Sequence, residues 1–259
     1  MRRRVTRGIR SASLIAVALS AGLMCPPLVS RAQEIAGSSS VVALLDITVP
    51  PAGKDVFGSG FFVGPEGTVL TNAHVVIGTL RDPDHYRLVA LWRAEWFSAS
   101  VACASFSASD PGPLDLSQTV RPHKDAAEVQ LSPAFGSQAL EIHGRQWRAH
   151  TGPLPVFPAL AFAGRDPSAG QQVGSPGYGF SGAPPTLATY RGRVLGLYAA
   201  PDGTPVVVVR YAGVVEHGQS GAPVLDASGD VVAMQTWGSV SRPADGAAIA
   251  QSALRNPCR

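Results

Sequence analysis

Three residue types in this 259-residue chain could together break an amide bond: a serine held between glycines, a histidine closing an apolar run, and a carboxylate lying between them in the chain. A serine hydroxyl is a weak nucleophile until a histidine takes its proton, and the histidine needs an acid on its other ring nitrogen to fix its tautomer. Ser220 stands in Gly218-Gln219-Ser220-Gly221-Ala222-Pro223-Val224-Leu225. Its flanking glycines let the backbone turn so that the amides of Gly218 and Ser220 converge on one oxygen, the arrangement of an oxyanion hole. A near copy, Gly179-Phe180-Ser181-Gly182-Ala183-Pro184, presents a second serine. The residues after it, Pro185-Thr186-Leu187, do not make the tight hairpin that follows Ser220, so Ser181 reads as turn chemistry. The chain order serine, acid, histidine of an α/β-hydrolase fails for Ser220, because no histidine follows it. That order exists for Ser181, Asp202 and His217, but across 36 residues with no alternation of helix and strand to build a parallel sheet. His74 lies in Thr71-Asn72-Ala73-His74-Val75-Val76, and Asp110, Asp115 and Asp125, all between it and Ser220, are the candidate acids.

These side chains must be carried on strands and turns. The 28 Gly and 22 Pro are scattered among short runs rich in Val, Ala, Thr and Leu, and 45% hydrophobic with 15% charged residues excludes a disordered chain. Strands are predicted from Val41, then on both sides of the turn Gly64-Pro65-Glu66-Gly67, and over 87–92, 97–104, 127–131, 171–174, 191–197 and 205–211. A last hairpin joins 222–225 to 231–237 through Ser228-Gly229. Residues 105–124, rich in Pro, Asp and Ser, read as a surface loop, and the alanines of 247–254 suggest a closing helix. Many short strands at turn spacing give an all-β fold, and the length fits two six-stranded antiparallel β-barrels meeting at a cleft. We expect an N-terminal barrel over about 41–135 and a C-terminal barrel over about 165–245.

Gly58-Ser59-Gly60-Phe61-Phe62-Val63, followed by Val69-Leu70-Thr71-Asn72-Ala73-His74-Val75-Val76, resembles the block that carries the catalytic histidine in trypsin-like peptidases of the bacterial HtrA type. Asp125-Ala126-Ala127-Glu128-Val129 is similar to that family's aspartate and outgoing strand, and so selects Asp125 from the three acids. The resemblance spans about 38–256. It takes in Gly170-Gln171-Gln172-Val173-Gly174, and it takes in Gln235-Thr236-Trp237-Gly238, which looks like the edge that pairs with substrate backbone. It implies a His74, Asp125, Ser220 triad, an oxyanion hole from the amides of Gly218 and Ser220, and substrate binding along Thr236, Trp237 and Gly238. It implies no metal and no organic cofactor. Ala222 departs from the family's second glycine, and Glu216-His217 replaces its usual lead. Val214 stands six residues before Ser220, where specificity for Arg or Lys would want an acid, so small or apolar side chains are the expected preference. Only 21 residues follow Gly238, too few for a PDZ module. The rival class is a trypsin-fold protein that kept these motifs and binds peptides or a protein partner without turnover.

Five arginines at 2, 3, 4, 7 and 10 precede an uncharged run over 11–24, and Ser30-Arg31-Ala32 offers small residues at a cleavage site. Residues 1–32 therefore read as a secretory signal, with 33–259 exported to the periplasm or the exterior and not held in a membrane. Losing its six arginines leaves 15 of the 21 Lys and Arg against 18 Asp and Glu, a net charge near −3. That removes the basic face a nucleic-acid partner would need and leaves polypeptides as the expected substrates. Cys103 and Cys258, both in the mature part, are open to either a disulfide or two thiols; their spacing is no zinc motif.

Overall fold

The computed structural model describes residues 37–48, 56–105, 124–179, 184–239 and 242–258. The predicted signal, Asp110, Asp115 and Ser181 lie outside them. The first barrel is built from β1 (Val41–Thr48), β2 (Val56–Phe62), β3 (Thr68–Thr71), β4 (Tyr86–Trp92), β5 (Glu95–Ser105) and β6 (Ala126–Ser132). They run in the order β4-β1-β2-β3-β6-β5, and the β4–β5 hairpin closes the ring. Strand β1 is buried almost throughout, reading Val-Val-Ala-Leu-Leu with apolar residues on both faces, because its inner face fills the barrel and its outer face is covered.

The cover is a hairpin that the sequence did not announce: β7 (Leu140–Ile142) and β8 (Arg145–Ala149), joined at His143-Gly144 and attached to β5 by parallel pairing. Its Trp147 and Ile142 pack on Val41, Ala43 and Leu91. Residues 150–171 then run across both barrels. The amide of Phe157 bonds Pro65, that of Leu160 bonds Phe62, and Phe162 bridges Val231 of the second barrel.

The second barrel comprises β9 (Gln172–Gly179), β10 (Thr186–Ala199), β11 (Pro205–Tyr211), β12 (Pro223–Leu225), β13 (Val231–Gly238) and β14 (Asp245–Ala250), closed in the order β10-β11-β14-β13-β12-β9. The expected two six-stranded antiparallel barrels are therefore present. The expected short C-terminal helix is present as well but starts later, at Gln251–Leu254: Ala247, Ala248 and Ala250, expected within it, lie in β14, paired with β11 and β13. Alanine's helix propensity is worth well under ~1 kcal/mol per residue, less than closing a ring of backbone hydrogen bonds over a buried interior. Between the barrels, Phe61, Leu70 and Ala126 of the first pack on Leu225, Met234 and Ile249 of the second. That apolar seam fixes the rims that carry the site.

The covering hairpin is held by charge as well as by packing. The Arg148 guanidinium and the His150 ring both donate to Glu95 on β5, at 2.5 Å and 3.0 Å. Burial pushes the Glu95 carboxyl up, but these two hydrogen bonds outweigh it and hold its pKa below the ordinary 4.5. A carboxylate depressed by folding adds stability above pH 4.5, and that stability is lost as pH falls through the lowered folded value. Glu95→Gln is thus expected to lower the urea midpoint at neutral pH. The gap between wild type and variant should close in acid, and a gap independent of pH would contradict this.

Candidate active site

Strand β3 ends at Thr71, and the chain turns through Asn72 into a tight 3-10 turn, Ala73–Val76, before the short helix α1 (Ile77–Arg81). Ala73, Val75 and Val76 are buried, which leaves His74 as the turn's half-buried, cleft-side member. Asp125 lies one residue before β6, with its side chain 4% exposed. Its carboxylate grips His74 twice: Oδ1 accepts the backbone N–H at 3.0 Å, and Oδ2 accepts from Nδ1 at 2.5 Å. A carboxylate can only accept, so the proton sits on Nδ1 and the lone pair falls on Nε2, the state a general base needs.

Asp125 is located from three directions. The Asn72 amide donates to its carbonyl at 2.8 Å. The preceding Lys124 donates its backbone N–H to Asp202 of the second barrel and its ammonium to the Asn256 carbonyl, with burial lowering the lysine's pKa. Two residues beyond Asn256, Cys258 is disulfide-bonded to Cys103 on β5, with Cα atoms 5.7 Å apart. Glu128 lies beside the two sulfurs, but a disulfide offers no thiolate to a metal.

Ser220 sits in the turn before β12. Gly218 and Gly221 have φ of +94° and +85°, and side chains there would collide with Tyr178 O and Ser59 O. Glycine is required at both positions. Ala222 is not among the residues of positive φ, so the departure from the family pattern costs no backbone strain; its methyl fills the space that Gly177 leaves open. Inside the turn, Gln219 N–H bonds Glu216 O, Gly221 N–H bonds Gln235 O, and Ala222 N–H bonds Gln219 O. The N–H groups of Gly218 and Ser220 have no partner among the described residues. Unpaired amides at Gly218 and at the serine itself, in a buried turn, are the donors an oxyanion requires.

The Ser220 hydroxyl has one hydrogen-bond partner among the described residues, the Thr236 carbonyl at 3.4 Å. Thr236 in turn receives the Asn72 amide on its own hydroxyl at 3.0 Å. Asn72 therefore ties the Ser220 side of the cleft to the Asp125 side. Without substrate, the contact between nucleophile and base is commonly loose. Strand β12 pairs with β13 only as far as Met234, and β14 covers one side of β13 through Gly238. Among the described residues the ladder on the other side of β13 ends at Met234, and Thr236 to Gly238 runs on from the Ser220 turn, a stretch of strand of the kind an extended peptide can join.

Sequence reasoning missed Asn72 and Ser59. The amide beside His74 was visible as a polar residue within an apolar block; Ser59 between two glycines was visible as a strand position without bulk. Glu216 lies over Gly179, where a side chain would come within 2.5 Å of its carboxylate. Burial, and then this carboxylate, raise the pKa of Tyr190. His217 and Val214 are exposed on the same loop.

A family model described as a trypsin-like peptidase domain matches residues 58–234. No curated protein sequence matches the chain. Among solved structures, the Rv3671c protease of M. tuberculosis in its active form is similar at 21% identity and TM-score 0.59, over 98% of this chain and 92% of that one. Deg5 is similar at 18% and 0.55, over 85% and 88%. A serine endoprotease of Yersinia pestis is similar at 15% and 0.54, over 85% of this chain and 62% of its own. At these identities the structures speak to the fold alone.

The disulfide closes a separation of 155 residues and anchors the segment that holds Lys124. Replacing both cysteines by serine is expected to cost about 2–5 kcal/mol in denaturant unfolding, with reductant reproducing the loss in wild type. An unchanged midpoint would show the tether to be idle.

Proposed function

The chain belongs to the trypsin-like peptidase family, a family of serine endopeptidases, and from that premise we propose that it is exported and cleaves polypeptides with His74, Asp125 and Ser220. Ser220 Oγ attacks the scissile carbonyl while His74 Nε2 takes its proton. Asp125 keeps Nδ1–H in place and stabilises the imidazolium that forms. The amides of Gly218 and Ser220 receive the oxyanion, and His74 returns the proton to the leaving amine. Water then repeats the sequence on the acyl-enzyme. One observation carries this reading: the doubly bonded Asp125–His74 pair stands in one hydrogen-bond network with a serine whose neighbouring amides are unpaired.

Substrate backbone adds along Thr236, Trp237 and Gly238 of β13. Val214 supplies no charge for a basic side chain, which favours small or apolar residues at the cleaved bond. The arginine-led segment over 1–32 supports export, and the Cys103–Cys258 disulfide suits an oxidising compartment.

A fluorophosphonate reacts only with an activated serine. We expect it to label residues 33–259 stoichiometrically, and Ser220→Ala to abolish labelling. His74→Ala should lower casein cleavage to background, a loss of more than about 10³-fold. Labelling that persists in Ser220→Ala and disappears in Ser181→Ala would move the nucleophile; a folded wild type that neither labels nor cleaves would favour a peptide-binding protein.

A further inference from the structure

Ser59, in the middle of β2, is fully buried and makes four hydrogen bonds. Its N–H donates to the Ser220 carbonyl at 2.7 Å, and its hydroxyl donates to the Gly218 carbonyl, also at 2.7 Å. The same hydroxyl accepts the Tyr178 N–H of β9 at 2.9 Å, and its carbonyl accepts the Thr71 hydroxyl at 2.7 Å. One residue of the first barrel thus holds the carbonyls of both residues whose amides are left unpaired. We propose that Ser59 is a positioning residue for the oxyanion hole, its hydroxyl fixing the orientation in which Gly218 and Ser220 present their N–H groups; the inference rests on the peptidase reading above.

Peptide planarity carries the argument. Bonding the Gly218 carbonyl fixes the plane between Gly218 and Gln219, and bonding the Ser220 carbonyl fixes the plane between Ser220 and Gly221. The Ser220 N–H belongs to the plane between these two, so it is anchored on both sides. The Gly218 N–H is separated from an anchored plane only by the φ and ψ of Gly218 itself. Position 218 must be glycine because Tyr178 O and the Phe57 ring leave no room for a side chain, and glycine is the residue least able to hold its own plane. The Ser59 hydroxyl supplies that restraint from outside the turn. Bulk is excluded around it: a side chain at Gly58 would reach within 3.0 Å of Ser220 O, and one at Gly221 would collide with Ser59 O. A hydroxyl that accepts one N–H and donates its only proton to one carbonyl acts in both directions at once, which alanine cannot imitate and cysteine imitates weakly.

The test is steady-state cleavage of a peptide substrate by wild type, Ser59→Ala and Ser59→Cys, together with inhibition by a peptide boronate bearing a small side chain, whose tetrahedral adduct needs the hole. Thermal unfolding establishes that each variant is folded at the assay temperature. Ser59→Ala is expected to lower kcat by about 10–100-fold, short of the loss of a donor itself, with KM within about twofold. Boronate affinity should fall by the same factor as kcat, and Ser59→Cys should lie between alanine and wild type. If Ser59→Ala does not fold, Ser59→Cys alone must still show the joint loss of kcat and boronate affinity at constant KM. A folded variant that keeps both, or loses only KM, overturns the proposal. A wild type that neither turns over nor labels at Ser220 fails differently, and takes the peptidase reading down together with this one.

Discussion

The contact between β2 of one barrel and the Ser220 turn of the other is the constraint on which the rest of the structure depends. Ser59 N–H on Ser220 O and Ser59 Oγ on Gly218 O are bonds between halves of the molecule that are far apart in sequence. They require two closed barrels whose rims meet in one register. Closure gives each rim its rigidity, and the seam of Phe61, Leu70, Leu225 and Met234 presses the rims together. Fully burying such side chains is worth roughly 1.5–3 kcal/mol each, so the seam outweighs the conformational cost of holding a few polar groups still at its edge. Two glycines with positive φ let the turn approach closely enough for the bonds to form.

The acid side obeys a different rule. A carboxylate taken out of water is costly unless its oxygens are used, and Asp125 uses both on His74. Holding backbone and ring together converts the cost of burial into orientation: the ring cannot rotate away without also leaving a buried acceptor unpaired. Asn72 then couples this pair to the other rim through Thr236. Lys124, Asn256 and the disulfide bring the chain's C-terminal segment back to brace the start of β6. The Ser220 turn, His74 and Asp125 are each held by parts of the chain remote in sequence.

That remoteness explains what could be read in advance. Strands with strong β-branched character and glycine-marked turns were legible, β11 to the residue and the hairpin around Gly64-Pro65-Glu66-Gly67 to within two residues at its outer end. Ser220 between glycines and His74 in its block were visible because their local backbone demands are special. The choice of Asp125 over Asp110 and Asp115 came from resemblance, since composition alone makes each a loop carboxylate. The alanines of β14 were read as helix because they are judged one at a time, whereas ring closure is a property of tertiary pairing among all six strands of the barrel. The β7–β8 hairpin escaped because Arg145-Gln146-Trp147-Arg148-Ala149 buries little besides Trp147. Ser59 escaped for a further reason: serine between glycines on a strand looks like an absence of bulk, and its four bonds exist only once Gly218, Ser220, Thr71 and Tyr178 have been brought to it.

The central claim is that the two barrels together aim the amides of Gly218 and Ser220 at one point beside Ser220 Oγ. The most direct measurement is a crystal structure of the mature chain with a covalently bound peptide boronate. We predict boron bonded to Ser220 Oγ, with one boronate oxygen about 2.7–3.1 Å from both amide nitrogens, and the Ser59 bonds to Gly218 O and Ser220 O kept. Boron on another nucleophile, or a boronate oxygen turned to solvent with those amides still unpaired, would contradict it.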